Sequence, residues 1–129
     1  MILDSTFLVD LERERKRAEK GAAVAFLRSH EDVSFAITFT IAGELAAGRS
    51  LGLDREKWER FIRPFRFYEY STDVAWLFGR SFRQLQQDGR MIGANDLWIA
   101  ATALANDVPV VTRNDREFSR VEGLKVFGY

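Results

Sequence analysis

The sequence has no cysteine and a single histidine among its 129 residues. Without cysteine the chain cannot form disulfides, thiolate zinc sites or a cysteine nucleophile. A histidine-based triad or a two-histidine metal site has little to build on, because His30 stands alone and is expected at the surface. Several common classes of active site are therefore excluded or disfavoured.

The chain also lacks an excess of positive charge, since 19 lysines and arginines balance 19 aspartates and glutamates. Nucleic-acid binding by a generally basic domain is thus not indicated, although a local basic patch is compatible with it. No apolar run is long enough to span a membrane and no signal-peptide pattern is present, so we expect a cytoplasmic protein. The length predicts a single domain over residues 1–129.

Strand-like apolar segments alternate with helical patterns along the whole chain, at 1–4, 33–37, 65–70, 108–111 and 124–127. This order predicts an α/β fold with three α/β/α layers and a central, mainly parallel sheet of four to five strands. The polar members of segment 65–70 place it at a sheet edge. In such sheets the functional crevice lies at the carboxyl ends of the strands.

The most apolar helix is predicted to begin at Asn95 and Asp96. The residues that follow, 97–104, leave no polar stripe, which is typical of a buried helix. Taken alone, Asp96 is interpreted as a helix cap. Glu44 is less easily explained, because it shares a helix face with Ile41 and Leu45. A carboxylate in an apolar stripe is costly unless it is paired or binds a metal.

Other acidic residues are expected at the same end of the sheet. Asp4 ends the first strand, Asp96 precedes the fourth, and Asn114-Asp115 follow the fourth. Crowded carboxylates repel one another and are stable in the ionised form only around a cation. Oxygen ligands suit Mg²⁺ or Mn²⁺. Since each aspartate is equally suited to a cap or turn, position alone leaves a metal site and ordinary structural roles as alternatives.

Four segments resemble the PIN domain, and in particular the toxin ribonucleases of VapBC toxin–antitoxin pairs. They occur in the family's order and read Met1-Ile2-Leu3-Asp4-Ser5-Thr6, Glu44-Leu45, Asn95-Asp96-Leu97-Trp98-Ile99-Ala100-Ala101 and Val111-Thr112-Arg113-Asn114. The resemblance continues into the closing segment 118–124. It implies a Mg²⁺-dependent endoribonuclease that forms a homodimer and pairs with a small VapB-type antitoxin. The antitoxin's tail is expected to place a basic side chain among the carboxylates.

The resemblance also implies roles for individual residues. Asp4 and Asp96 correspond to the principal Mg²⁺ ligands, and Glu44 completes the acidic cluster directly or through water. Thr6 and Thr112 fall where the family places hydroxyl residues that orient the carboxylates. The bound cation is expected to polarise the scissile phosphate and to activate a water for in-line attack.

The fourth acidic position departs from the family pattern. The family's acid usually lies two residues after the threonine, where this sequence has Asn114, whereas counting back from Phe118 favours Asp115. Both remain candidates for the fourth ligand. Arg113 and Arg116 flank this position and are candidates for binding RNA phosphates, or else are solvated loop arginines.

Two other families with an aspartate or paired acids after the first strand do not fit the sequence. A haloacid-dehalogenase-like phosphatase also carries an aspartate after its first strand, but it needs a second aspartate where this chain has Thr6. The paired acids and lysine of a receiver domain are likewise not found. The remaining alternative is a catalytically weak or inactive PIN-like binding module, and the support for it is Asn114.

Overall fold

The computed structural model describes residues 1–18 and 20–129, which form five strands and seven helices. The strands are β1 (Ile2–Leu3), β2 (Ala36–Thr38), β3 (Arg66–Tyr68), β4 (Val110–Val111) and β5 (Val126–Phe127). The helices are α1 (Ser5–Arg17), α2 (Ala22–Ser29), α3 (Phe39–Ala47), α4 (Arg55–Ile62), α5 (Thr72–Gln87), α6 (Ala94–Ala105) and α7 (Asp115–Phe118).

The strands form one parallel sheet in the order β3-β2-β1-β4-β5. β1 lies at the centre, where Ile2 pairs with Ala36 on one side and with Val110 on the other. Its two residues are fully buried, as expected for a strand covered on both faces. The predicted α/β/α class, the parallel sheet and the edge position of β3 are confirmed.

A topological switch point lies between β1 and β4. The chain leaves β1 towards β2 and later returns to β4 on the opposite side, so the connections diverge and open a crevice at the carboxyl ends. Asp4 follows β1 and Thr112 follows β4 at this edge. Asp4 donates its N–H to the Val111 carbonyl at 3.0 Å, and Thr112 donates to the Phe127 carbonyl at 3.0 Å. Both residues are thus fixed by the sheet.

Side-chain hydrogen bonds cap helices α3 and α4. Thr38 accepts from the Ile41 N–H to cap α3, and Asp54 accepts from the Lys57 N–H to cap α4. The cap interpretation for α6 is wrong, because Gly93 is its N-cap and has no side-chain cap bond. Asp96 lies inside the first turn of α6.

Helix α6 is buried as predicted, with Ile99, Ala100, Ala101 and Ala103 fully inaccessible to solvent. It packs against α5 and α3. On α5, Val74 and Leu85 are buried, whereas Phe82 remains 38% exposed. Within residues 1–18 and 20–129, no helix combines the length and the apolar character needed to cross a membrane.

Candidate active site

Asp4 links the first helix to the segment after β4. The carboxylate is buried, and its Oδ1 accepts from the Ser5 N–H at 2.7 Å. Its Oδ2 accepts from the Thr6 hydroxyl at 2.9 Å and from the Thr112 hydroxyl at 2.8 Å. Both threonines therefore lie where they orient Asp4, although 108 residues separate Asp4 from Thr112.

The segment after β4 is held by further hydrogen bonds to these hydroxyls. The Thr112 hydroxyl, which is fully buried, accepts from the Asn114 N–H at 2.9 Å. The Arg113 N–H donates to the Thr6 hydroxyl at 3.3 Å. The two hydroxyls lie 3.4 Å apart, so they form a polar seam between α1 and this segment.

Asp96 is surrounded by negative charge. Burial, together with the carboxylates of Asp4, Glu44 and Glu117, raises the pKa of Asp96 to about 6. The three acids predicted for the site are therefore close enough to interact. Such crowding destabilises the ionised form of Asp96 in the absence of a cation.

Glu44 faces the site from α3, as its place in the apolar stripe predicts. Its Oε1 accepts a hydrogen bond from the Asn95 side-chain amide at 3.2 Å. Its Oε2 is buried and has no hydrogen-bond partner among the described residues. A buried acceptor without a partner carries a desolvation cost, which a bound cation offsets. Asn95 was expected only as a helix cap, and its contact with a residue 51 positions away was missed.

Glu117, which the sequence reasoning missed, is the third carboxylate that acts on Asp96 and the fourth member of the acidic cluster. The side-chain amide of Asn114 donates a hydrogen bond to Glu117 Oε2 at 3.1 Å. Asp115 is exposed and accepts from the Arg116 N–H at 2.9 Å at the start of α7. The segment expected as a polar loop contains the short helix α7. The separation of three residues between Asn114 and Glu117, one helical turn, is the signal that was available.

The two candidate phosphate-binding arginines differ in their surroundings. The Arg113 guanidinium pairs with Asp10 Oδ2 at 2.8 Å on α1. Arg116 is exposed on α7. Asp10 also accepts from the Tyr129 hydroxyl at 2.8 Å. Burial and this hydrogen bond raise the pKa of Tyr129 above its usual value.

The donor chemistry of the site fits a hydrated divalent cation. All the converging side chains offer oxygen, which Mg²⁺ and Mn²⁺ prefer. Among residues 1–18 and 20–129, no three His, Cys, Asp or Glu side chains are placed to hold one ion together. Mg²⁺ usually keeps several waters and takes one or two carboxylates, so a site in which no three carboxylates share an ion is compatible with Mg²⁺. The partnerless oxygen of Glu44 supports the same interpretation.

The family model for the PIN domain matches residues 1–124. The chain belongs to the PIN domain family. This PIN domain is 32% identical over 95 residues to ribonuclease VapC2 of Rickettsia felis, covering 70% of the chain and 71% of the relative. It is 26% identical over 129 residues to ribonuclease VapC1 of Methanocaldococcus jannaschii, covering 98% and 86%. The resemblance inferred from the four motifs is confirmed.

Solved structures with the same fold include toxin–antitoxin complexes. VapBC2 from Rickettsia felis, solved bound to a promoter DNA fragment, matches with a TM-score of 0.82 at 22% identity, covering 99% of this chain and 97% of that one. FitAcB from Neisseria gonorrhoeae matches with a TM-score of 0.78 at 26% identity, covering 98% and 95%. The fold is therefore shared over nearly the whole length of each chain.

Proposed function

We propose that this PIN domain is the ribonuclease toxin of a VapBC-type pair and cleaves RNA in the cytoplasm with a divalent metal ion. The observation that carries the proposal is the crowding of Asp4, Glu44 and Glu117 around Asp96 at the switch point of the sheet. The relatives named ribonuclease VapC support the same activity.

In this proposal Asp4 and Asp96 hold Mg²⁺, which Mn²⁺ can replace, and Glu44 and Glu117 act through bound water. When bound, the cation acts as a Lewis acid on the scissile phosphate and lowers the pKa of a water for in-line attack. The neutralising charge also offsets the repulsion that raises the pKa of Asp96. Asp96 is then ionised at neutral pH, as a metal ligand must be.

The chain's own residues keep these ligands in place. Thr6 and Thr112 fix the orientation of Asp4 by donating to one of its oxygens. Asn95 holds one oxygen of Glu44, and the other has no hydrogen-bond partner among the described residues. Fixed ligands need little reorganisation when charge develops on the phosphate oxygens, which is the usual source of catalytic benefit in such sites.

The test is cleavage of a diverse RNA pool by the purified protein with Mg²⁺ or Mn²⁺ and with a chelator. We expect cleavage by the wild type that is lost with chelator and in Asp96→Asn. Asp73→Asn is the matched control, because Asp73 is an exposed acid in the first turn of α5. Cleavage that persists in Asp96→Asn, or ignores the chelator, contradicts the metal mechanism. RNA binding without cleavage under every condition favours the inactive binding module instead.

We further propose a VapB-type antitoxin that places a lysine or arginine among the carboxylates. Unneutralised acids attract a cationic group for the same reason that they attract a metal ion. The solved VapBC complexes with this fold support such a partner. Co-expression with the product of a small adjacent reading frame should yield a complex that no longer cleaves RNA. A partner that binds Asp96→Asn as tightly as the wild type, or that leaves RNA cleavage by the wild type unaffected, contradicts this arrangement.

We also propose a homodimer. A row of aromatic rings runs from Tyr70 through Trp98 and Phe78 to Phe82, and Tyr70 and Phe82 are exposed. An aromatic row with exposed ends is typical of an interface. Light scattering should show a dimer that Phe82→Glu dissociates, whereas Val9→Glu, at an exposed apolar residue of α1, should leave it intact.

A further inference from the structure

Asp10 is a carboxylate on α1, outside the acidic cluster, and it is only 9% exposed. Its Oδ1 accepts from the Arg13 guanidinium at 2.8 Å. Its Oδ2 accepts from the Arg113 guanidinium and from the Tyr129 hydroxyl, each at 2.8 Å. A buried carboxylate with three donors is well satisfied, and two of those donors come from parts of the chain more than a hundred residues away.

Two bonds join Arg113 to α1. Its guanidinium contacts Asp10, and its main-chain N–H donates to the Thr6 hydroxyl. Thr6 and Asp10 are four residues apart and share one face of α1. Because side chain and backbone are both held, the segment 112–117 cannot slide along α1 without breaking one of these bonds.

That segment carries two groups that the proposed reaction needs. Thr112, at its start, donates to Asp4. Glu117, at its end, acts on Asp96 and is bonded to Asn114. A shift of the segment would therefore misplace an orienting hydroxyl and a carboxylate together.

We propose that Asp10 is a positioning residue, which holds the segment 112–117 against α1 through Arg113 and so keeps Thr112 on Asp4, while the Tyr129 hydroxyl fixes the Asp10 oxygen that contacts Arg113. Asp10 has no contact with the reacting groups and acts only through these partners. Its effect on cleavage rests on the proposed ribonuclease function. Its effect on the order of the segment does not.

The chain offers a matched control for this proposal. Arg13 and Arg113 contact Asp10 with the same distance, 2.8 Å, and their side chains are similarly exposed at 48% and 59%. Arg13 belongs to α1 itself and does not connect to the segment 112–117. Arg13→Ala and Arg113→Ala therefore remove comparable ion pairs, and only the second releases the segment.

The first measurement is amide hydrogen exchange of Arg113 and Asn114 by NMR on the metal-free protein. In Asp10→Asn and Arg113→Ala we expect exchange at these two amides to accelerate by about tenfold or more, since local opening becomes easier. Tyr129→Phe should give a smaller acceleration, and it serves where Asp10→Asn fails to fold. Arg13→Ala should match the wild type. Unchanged exchange in the folded Asp10 or Tyr129 variants overturns the proposal.

The second measurement separates kcat from KM for RNA cleavage. We expect kcat in Asp10→Asn to fall by about tenfold to a hundredfold, as for small misplacements of reacting groups, with KM unchanged. Asp10→Glu, which keeps the charge, should recover part of the loss, and Arg13→Ala should show none. A rise in KM alone in Arg113→Ala would mean that Arg113 contacts RNA directly, and the proposal would then fail. If the wild type cleaves no RNA, the proposed function fails while hydrogen exchange still decides the role of Asp10.

Discussion

The side-chain amide of Asn95 donates to Glu44 Oε1 across 3.2 Å, so the first turn of α6 is joined to α3 beside the acidic cluster. The second oxygen of Glu44 is buried without a partner among the described residues. Glu44 is thus held in place but only half satisfied. In the proposed function, a bound cation would offset the desolvation cost of the unpartnered Glu44 oxygen, and metal binding is more favourable for that reason.

Replacing Glu44 with Gln should stabilise the metal-free protein and weaken metal binding. The change removes one negative charge beside Asp96 and supplies an N–H donor. We expect a rise of about 3 °C in the melting temperature, which corresponds to roughly 1 kcal/mol. Mn²⁺ affinity, measured by calorimetry, should fall about tenfold because one carboxylate of the cluster is lost. Glu56→Gln, at an exposed acid of α4, is the control. Equal Mn²⁺ affinity in Glu44→Gln and the wild type would contradict the role of Glu44.

The raised pKa of Asp96 predicts how the stability of the metal-free protein depends on pH. The folded state takes up a proton near pH 6, whereas the unfolded state does so near 3.8. Between these values the folded state binds more protons, so the contribution of Asp96 to folding stability grows more favourable as the pH falls. The asparagine in Asp96→Asn does not titrate, so its contribution to folding stability does not change with pH in this range. Thermal unfolding should therefore find the variant more stable than the wild type at pH 7, with the difference shrinking towards pH 4. A difference in thermal stability that does not change with pH would contradict the raised pKa of Asp96.

At pH 7, Mg²⁺ should make the wild type more stable than Asp96→Asn, the reverse of the order expected without metal. The wild type gains stability by binding the ion in its folded state, and Asp96→Asn loses a proposed ligand. Melting temperatures of both proteins are compared without Mg²⁺ and with Mg²⁺ at about 10 mM, which is an excess even for a weak site. Chelation should return the wild type to its lower value.

Glu117→Gln and Asp115→Asn form a pair that identifies the fourth acid. Glu117 raises the pKa of Asp96, so removing its charge should lower that pKa. Asp115→Asn should leave it where it is, because Asp115 is exposed at the start of α7 and caps the Arg116 N–H. Carbon-detected NMR titration of the Asp96 carboxyl measures both. A shift of the same size in Asp115→Asn would restore Asp115 as the fourth acid.

Thr112→Val should destabilise the fold and reduce cleavage. The hydroxyl donates to Asp4 and accepts from the Asn114 N–H, so its loss removes two buried hydrogen bonds. We expect a cost of about 2 kcal/mol in the free energy of unfolding, measured by urea titration. Thr112→Ser should recover most of it. Thr102→Val is the control, since its buried hydroxyl bonds only within α6, and it should leave cleavage intact.

The sequence was most informative where a pattern is local. Alternation of strand and helix segments predicted the sheet, and the helical spacing of Glu44 predicted that it faces inward. Glu117 was missed because a helix of four residues offers only the single spacing of Asn114 and Glu117 as a signal. The partners of Asn95 and Arg113 were missed because they lie 51 and more than a hundred residues away, and pairings of that range depend on the packing of whole elements.

The central position of β1 has a consequence for how the protein is made. Thr112 is synthesised 108 positions after Asp4. At about 5–20 residues per second, roughly 5 to 20 seconds pass before the ribosome has added that threonine. Until then Asp4 lacks the donor that ties it to β4, and Asp96 lacks Glu117. A nascent chain that has not yet reached Thr112 and Glu117 therefore has an incomplete site.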